Sequence, residues 1–285
     1  MIKSLLFTLC AFTFQAAAQI SPQDSANMDA SRDIAAKPGF VTGTNRTFPI
    51  LFIVGDSTVH NPGRGERGWG DVISKYFDAK KIHVENHALG GRSSRTFITQ
   101  GWWDKVLTNS KPGDFVLIQM GHNDGGALDD TNRARGSIRG LGDDTKDIFN
   151  PITKKPETVH TYGWYLRKYI NDAHAKGMTA ILCTPIPHCP SQEVHAGDVE
   201  KSDFVRLSTA VAENEKIPFI NLNQIVMGHY AGMPPKEIKE KYFTPADNTH
   251  TSMAGAELNA QSVIEGLREL KTCPLNDYLL PQPGG

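Results

Sequence analysis

The feature that most constrains this chain is an alternation between short apolar runs and amphipathic helical patterns. Each run is almost continuous in apolar residues, which is typical of strands buried on both faces of a parallel sheet. The five runs cover residues 50–54, 82–86, 115–120, 179–183 and 218–222. Because helical patterns lie between them, the sequence predicts one α/β domain with helices on both faces of the sheet.

Helical periodicity is clearest in three segments. Apolar residues recur there every three or four positions, over residues 69–77, 162–173 and 253–267. Such a stripe is typical of a helix that packs one face against a sheet. Gly177 follows the second segment and predicts the end of that helix.

Two polar segments interrupt the alternation, at residues 124–160 and 185–203. Long loops in a compact α/β domain are usually functional and often form the walls of a site. We therefore expect both segments to be loops that border a site. For the first, a disordered insertion is the alternative interpretation.

The N-terminal residues predict export of the protein. Lys3 is followed by an apolar run over residues 5–14 and then by Ala16-Ala17-Ala18, the order of a secretory signal peptide. We expect residues 1–18 to be removed, residues 19–47 to be an irregular lead-in, and residues 48–285 to form the domain of a secreted or periplasmic protein. No stretch of the sequence is long and apolar enough to predict a membrane span.

Composition excludes some classes of function. A formal net charge of -1 argues against a general nucleic-acid-binding protein. Beyond the signal peptide the cysteines are Cys183, Cys189 and Cys273, an odd number that does not form a disulfide framework. A single bridge between Cys183 and Cys189 stays open, as does the oligomeric state.

Polar groups follow the predicted strands where each strand ends. Ser57 follows the first strand, Gly91 the second and Asn123 the third, while Asp247 and His250 precede the last helix. The carboxyl ends of parallel strands meet at one edge of a sheet, where α/β proteins bind their ligands. We therefore expect these residues to converge.

The chemistry of the converging residues is complementary. Ser57 is the predicted nucleophile, His250 the base that takes its proton, and Asp247 the group that orients the imidazole. The N–H groups of Ser57 and Gly91 and the Asn123 amide are the predicted oxyanion donors. Turn formation or helix capping is the alternative for each residue taken alone.

Four sequence blocks resemble those of the GDSL, or SGNH, hydrolase superfamily, and stand in the same order. They are Gly55-Asp56-Ser57, Gly91, Gly121-His122-Asn123-Asp124 and Asp247-x-x-His250. Their extended forms, Gly55 to Val59, Gly91 to Phe97 and Asp247 to Ser252, are similar to the rhamnogalacturonan acetylesterase branch. The resemblance implies a flavodoxin-like three-layer α/β/α fold with a five-stranded parallel sheet in the order 2-1-3-4-5. It also implies an esterase that needs no metal and no cofactor.

The resemblance implies a carbohydrate esterase that removes O-acetyl groups from pectin, with acetylated rhamnogalacturonan as partner. Another esterase of the superfamily is the alternative, such as an acetylxylan esterase, a lipase or a thioesterase. A sugar-binding protein without catalysis is a third interpretation. The segment at 124–160 is long for the family and leaves the substrate subsites undefined.

Arginines are concentrated in the three loops predicted to follow the first three strands. These loops contain seven of the chain's twelve arginines and no lysine: Arg64, Arg67, Arg92, Arg95, Arg133, Arg135 and Arg139. The planar guanidinium matches a carboxylate, and rhamnogalacturonan carries a carboxylate on every second sugar. We predict that Arg92 and Arg95 contact substrate, with ion pairs to nearby acidic residues as the alternative.

The histidines outside the predicted triad have less defined roles. His122 either hydrogen-bonds and shapes the substrate site or packs in the fold, and we count it among the candidate substrate-binding residues. His188, His195 and His229 lack the close spacing of metal ligands, so we interpret them as solvated loop residues.

Overall fold

The computed structural model describes residues 46–63 and 65–282. The strands are β1 (Ile50–Gly55), β2 (His83–Asn86), β3 (Phe115–Gln119), β4 (Thr145–Asn150), β5 (Lys155–His160), β6 (Thr179–Cys183) and β7 (Phe219–Ile220). The helices are α1 (Ser94–Thr99), α2 (Trp102–Asn109), α3 (Tyr162–Ala175), α4 (Asp203–Glu215), α5 (Leu222–Tyr230), α6 (Pro235–Tyr242) and α7 (Met253–Glu269). Short 3₁₀ helices lie at Trp69–Asp71, Ile73–Tyr76 and Pro274–Tyr278.

Five parallel strands form the central sheet in the order β2-β1-β3-β6-β7. This is the predicted order 2-1-3-4-5, and the predicted three-layer α/β fold is confirmed. Alternate residues of β1 enter two apolar cores, with Leu51 and Ile53 on one face and Phe52 and Val54 on the other. Because every β1 side chain is buried, the strand has to be apolar throughout.

Each face of the sheet is covered by helices from different parts of the chain. The core that contains Leu51 includes Val263 and Leu267 of α7, whereas the core that contains Phe52 includes Trp103 of α2 and Tyr169 of α3. The predicted α3 ends at Ala175 and is followed by Gly177, whose φ of 71° lies in the left-handed region. The predicted last helix is confirmed as α7.

Two elements differ from the sequence prediction. Residues 69–77 form 3₁₀ segments instead of one α-helix, and the N–H groups of Trp69 and Gly70 at their start donate to the carbonyls of Thr58 and Val59. The last strand is shorter than predicted, because Asn221 caps α5 by accepting a hydrogen bond from the Gln224 N–H.

The predicted signal peptide lies outside the described residues, as does most of the predicted lead-in. Within the described part of the chain, no helix is both long enough and apolar enough to cross a membrane. The three cysteines there are free thiols, so no bridge joins Cys183 to Cys189.

The segment at 124–160 is ordered around an antiparallel hairpin of β4 and β5. Neither strand was predicted, because most of their side chains are exposed and the apolar alternation of a half-buried strand is missing. The hairpin is joined to the core by Arg95, whose Nε and Nη2 donate to the two Glu157 carboxylate oxygens at 2.7 and 2.8 Å. Arg95 Nη1 also donates to the carbonyls of Leu128 and Gly136.

We predict that Arg95→Leu lowers the free energy of unfolding by about 2 kcal/mol, because it leaves a partly buried Glu157 without its cation. Partial burial raises the pKa of Glu157, but the hydrogen bonds from Arg95 and Asn150 and the Arg95 charge outweigh this effect, so the pKa is lowered. The pair therefore stabilises the protein above the unfolded pKa of Glu157, and that contribution is lost as the pH falls through the lowered folded pKa. Urea unfolding measured against pH tests this.

The matched control is Lys75→Met, which breaks an exposed pair with Glu257 and should change stability by less than about 0.5 kcal/mol. Equal losses for the two variants would contradict the role given to Arg95.

Candidate active site

The loop after β1 presents Ser57 at the edge of the sheet. The residues on either side of Ser57 hold the loop backbone in place. The fully buried Asp56 carboxylate accepts hydrogen bonds from the N–H and hydroxyl of Thr58 at 2.9 and 2.7 Å. Gln119, at the end of β3, donates to the Thr58 hydroxyl at 2.7 Å. The loop is therefore tied to two adjacent strands.

The structure brings Ser57, His250 and Asp247 into one line of hydrogen bonds. His250 Nε2 lies 2.8 Å from Ser57 Oγ, and His250 Nδ1 lies 2.6 Å from Asp247 Oδ2. With Nδ1 donating to the carboxylate, Nε2 is free to accept the serine proton. This arrangement can generate a serine nucleophile.

The loop that carries His250 is held from three sides. Asp247 Oδ1 accepts the N–H groups of Thr249 and His250, each at 2.7 Å. The Lys239 ammonium of α6 donates to the Asp247 carbonyl and to Asn248 Oδ1. Partial burial raises the pKa of Asp247, but these N–H groups and the imidazole outweigh it, so the pKa lies below its ordinary value. The carboxylate is thus ionised where it faces His250.

The residues of the three predicted oxyanion donors, Ser57, Gly91 and Asn123, line one cavity. Asn123 is buried, and its Nδ2 donates one hydrogen to the Arg92 carbonyl at 2.8 Å, which leaves its second hydrogen available. Gly91 has a φ of 77°, and its carbonyl accepts a hydrogen bond from Arg135 Nη1 at 3.1 Å. This bond orients the peptide that follows Gly91, next to the peptide that carries the Gly91 N–H.

These groups enclose a cavity of about 170 Å³. Its walls are Ser57, Gly91, His122, Asn123, Arg133, Arg135, His188, Thr249 and His250. Larger cavities lie elsewhere, including one of about 620 Å³ beside α4, and that cavity lacks the serine and its partners. This small polar cavity brings together the predicted nucleophile, the predicted base and the predicted oxyanion donors.

The predicted arginines occupy different positions. Arg95 is fully buried against Glu157, so the prediction that it contacts substrate is wrong and its role is structural. Arg92 is not on the cavity wall, because its guanidinium bonds Gln100 and the Gly90 carbonyl. Arg133 and Arg135 line the cavity instead, while Arg64 lies outside the described residues.

The backbone between the two cavity-lining arginines is strained. Ala134 is buried and has a φ of 42°, in the left-handed region that residues with a side chain rarely adopt. Its N–H donates to the Asp130 carbonyl at 2.9 Å. This turn places Arg133 and Arg135 on the same wall.

Substrate binding by His122 stays a prediction, because the residue lies on the cavity wall. Its ring borders the cavity, but Nδ1 lies 3.3 Å from Asp56 Oδ2 and Nε2 lies 3.0 Å from the Ile186 carbonyl oxygen. Both ring nitrogens already face protein acceptors. His122 therefore supports the site from behind.

Two polar residues of the site were missed by the sequence reasoning. His188, interpreted as a solvated loop residue, lines the cavity and bonds Glu200 at 2.6 Å. Glu66 is buried, and its carboxylate lies within 4.8 Å of the facing atoms of Asp247 and His250. These last three form a possible metal-binding group within the described chain, but Asp247 and His250 bond each other. Neither His188 nor Glu66 stands in a motif that could have indicated its position.

We predict that Gly121→Ala lowers the free energy of unfolding by about 1–3 kcal/mol and displaces Asn123. Gly121 has a φ of 144°, and an added Cβ would lie 2.7 Å from Pro185 Cγ. The control is Gly126→Ala, whose added Cβ meets nothing within 4 Å. If urea unfolding gives the same stability for both variants, the close approach at Gly121 does not constrain the site.

Comparison with known proteins places this geometry in a family. The sequence pattern of the GDSL-like Lipase/Acylhydrolase family matches residues 53–258, which include every residue of the cavity wall. The chain is 26% identical to the rhamnogalacturonan acetylesterase of Emericella nidulans over 80% of this chain and 88% of that protein. It is 28% identical to the rhamnogalacturonan acetylesterase RhgT of Bacillus subtilis, over 82% and 95% of the two chains.

Solved structures share the fold. A crystal structure of the YxiM protein of Bacillus subtilis superposes with a TM-score of 0.63 and 24% identity, over 80% of this chain and 58% of that chain. The acetylxylan esterase Axe2 of Geobacillus stearothermophilus superposes with a TM-score of 0.50 and 18% identity, over 79% and 95% of the two chains. At these identities the likeness concerns architecture alone.

Proposed function

Because the chain belongs to the GDSL-like lipase/acylhydrolase family, whose acetylesterase members it resembles, we propose that it removes acetyl groups from rhamnogalacturonan. The observation that carries the proposal is the line from Ser57 Oγ through His250 to Asp247, with its 2.8 and 2.6 Å contacts at the polar cavity. The matched relatives named for this activity support the substrate class.

In the proposed acylation step, Ser57 Oγ attacks the carbonyl carbon of the acetyl ester. His250 Nε2 takes the serine proton, and Asp247 stabilises the imidazolium that forms. The tetrahedral oxyanion accepts hydrogen bonds from the N–H groups of Ser57 and Gly91 and from Asn123 Nδ2. The bond to the sugar oxygen then breaks, and His250 gives its proton to that oxygen.

In the proposed deacylation step, water enters the cavity and attacks the acetyl-serine. His250 accepts a proton from this water and returns it to Ser57 Oγ when the second tetrahedral intermediate collapses. Acetate leaves, and the resting hydrogen bonds re-form. The same oxyanion donors serve both steps because both intermediates place their negative oxygen at one position.

The direct test measures acetate release from acetylated rhamnogalacturonan, homogalacturonan and xylan, for the wild type and for Ser57→Ala. We expect the highest kcat/KM on rhamnogalacturonan and a loss of at least about a thousandfold in Ser57→Ala, because no acyl-enzyme can form. A higher kcat/KM on acetylated xylan than on acetylated rhamnogalacturonan would show that the proposed substrate is wrong. Retention of activity by the folded variant would remove Ser57 as nucleophile.

Loss of one oxyanion donor should appear in kcat. We expect Asn123→Ala to lower kcat by about a hundredfold or more, with KM for a small ester nearly unchanged, because the hydrogen bond forms only as the oxyanion develops. A control, Asn171→Ala on α3, should leave both constants unchanged. An effect of Asn123→Ala on KM alone would make Asn123 a substrate-binding group.

We further propose that Arg133 binds a galacturonate carboxylate next to the acetylated sugar. Arg133 is exposed and lies on the cavity wall beside Arg135, so two guanidinium groups border the nucleophile. Guanidinium groups bind carboxylates in a geometry that lysine cannot reproduce. A carboxylate on every second sugar would place one such group near an acetylated neighbour.

Arg133→Gln should raise KM on acetylated rhamnogalacturonan about fivefold, since an exposed ionic contact contributes on the order of 1 kcal/mol, and should not affect p-nitrophenyl acetate. The matched control is Arg139→Gln, whose exposed guanidinium pairs with Asp203. Added salt should raise KM for the acidic polymer only, because exposed attraction is screened. An equal effect of Arg133→Gln on both substrates would exclude carboxylate binding.

A further inference from the structure

Behind the nucleophile, His122 and Asp56 form a buried pair that none of the proposed chemical steps uses. The Asp56 side chain is fully buried and the His122 side chain is 4% exposed. Asp56 immediately precedes Ser57, and His122 immediately precedes Asn123. The pair therefore joins the nucleophile loop to the loop that carries an oxyanion donor.

The directions of the hydrogen bonds around the pair can be assigned by starting from a group that can only donate. Trp69 Nε1 can only donate, so Gln119 Oε1 accepts at 2.8 Å and Gln119 Nε2 donates to Thr58 Oγ. The Thr58 hydroxyl hydrogen then points to Asp56 Oδ1. The Asp56 carboxylate is an acceptor on this side.

The His122 ring faces acceptors at both nitrogens. Nε2 lies 3.0 Å from the Ile186 carbonyl oxygen, which can only accept. Nδ1 lies 3.3 Å from Asp56 Oδ2 and 3.5 Å from Thr58 Oγ, whose only hydrogen is directed at Asp56. A hydrogen on each ring nitrogen satisfies all of these contacts.

We propose that His122 is a positioning residue that acts as an imidazolium, bonding Asp56 and the Ile186 carbonyl so that Ser57 and Asn123 stay aligned. The inference rests on the proposed function for its kinetic part only. Loss of one of the two protons would remove the hydrogen bond from His122 to either Asp56 Oδ2 or the Ile186 carbonyl. The two loops would then lose their common anchor.

The charges around His122 favour this state. Burial lowers the pKa of His122, but the Asp56 carboxylate, the Ile186 carbonyl and the more distant Glu200 outweigh it, so the pKa is raised. The ring of His188 stands edge-on to His122 at 5.3 Å between centroids, and it is bonded to Glu200. His250, Arg133 and Arg135 share the cavity with this ring.

The sign of the pH dependence follows from the raised pKa. The pair stabilises the fold fully below the unfolded pKa of histidine, about 6.5, and this contribution is lost as the pH rises through the folded pKa. kcat should therefore fall on the alkaline side as His122 loses its proton. Removal of the Glu200 charge should move this fall to lower pH, because less negative charge then stabilises the cation.

The charge state is tested by NMR of histidine labelled with ¹⁵N, in a Ser57→Ala background that needs no esterase activity. We expect one ring, identified by its loss in His122→Gln, to show both nitrogens protonated at pH 7.5. A neutral ring with one unprotonated nitrogen at that pH would overturn the proposal. This result is independent of whether the protein hydrolyses esters.

The positioning role is tested by kcat on p-nitrophenyl acetate as a function of pH. His122→Gln should lower kcat at least tenfold, leave KM within about twofold and abolish the alkaline fall. Glu200→Gln should move that fall to lower pH, whereas Glu213→Gln, which removes an exposed charge on α4, should not move it. An unchanged alkaline fall in His122→Gln would overturn the positioning role. If His122→Gln does not fold, the Glu200 comparison decides the question.

Discussion

The parallel pairing of β1 with β3 is the constraint on which the site depends. The register sets Gly55 opposite Gln119, so both strands end at the same level of the sheet. Ser57 follows one strand and Asn123 the other, so this register brings the proposed nucleophile and a proposed oxyanion donor to the same edge of the sheet. Since β1 is buried on both faces, a one-residue shift would exchange its two apolar cores and is strongly disfavoured. Packing of the sheet thus fixes the positions of the strand ends from which Ser57 and Asn123 follow.

Beyond the ends of the strands, a connected set of polar side chains holds the loops of the site in place. Gln119 continues the sheet edge into the loop by bonding Thr58, and Asp56 and His122 carry the connection to the Ile186 carbonyl. A buried network of this kind contributes rigidity only when every member has a partner, because an unpaired buried group costs about 1–3 kcal/mol. The same reasoning explains Arg95, whose four contacts organise the insertion that brings Arg133 to the cavity. The positions of the proposed catalytic residues thus depend on polar groups that have no part in the proposed chemical steps.

The sequence predicted the sheet, and it predicted that Ser57, Asp247 and His250 would meet, because both leave local signals. Buried strands are apolar runs, and Ser57, Asn123, Asp247 and His250 stand in short motifs at strand or helix ends. The roles of Arg95 and His122 could not be predicted, because each is set by partners far along the chain, Glu157 for one and Ile186 for the other. The β4–β5 hairpin was missed for a related reason, since exposed strands carry no apolar alternation. Residues in short local motifs can be predicted from the sequence, whereas polar contacts between residues far apart in the chain cannot.

The proposed reaction requires Ser57 to form an acyl-enzyme within this network. It is tested most directly by mixing the protein with p-nitrophenyl acetate, quenching in acid within the first turnover and mapping the product by peptide mass spectrometry. The account predicts one acetyl group, on the peptide that contains Ser57, and none in Ser57→Ala. It also predicts slower acetylation in His250→Ala. Acetate release without any modified Ser57 peptide, or acetylation at another residue that turns over at the catalytic rate, would contradict the account.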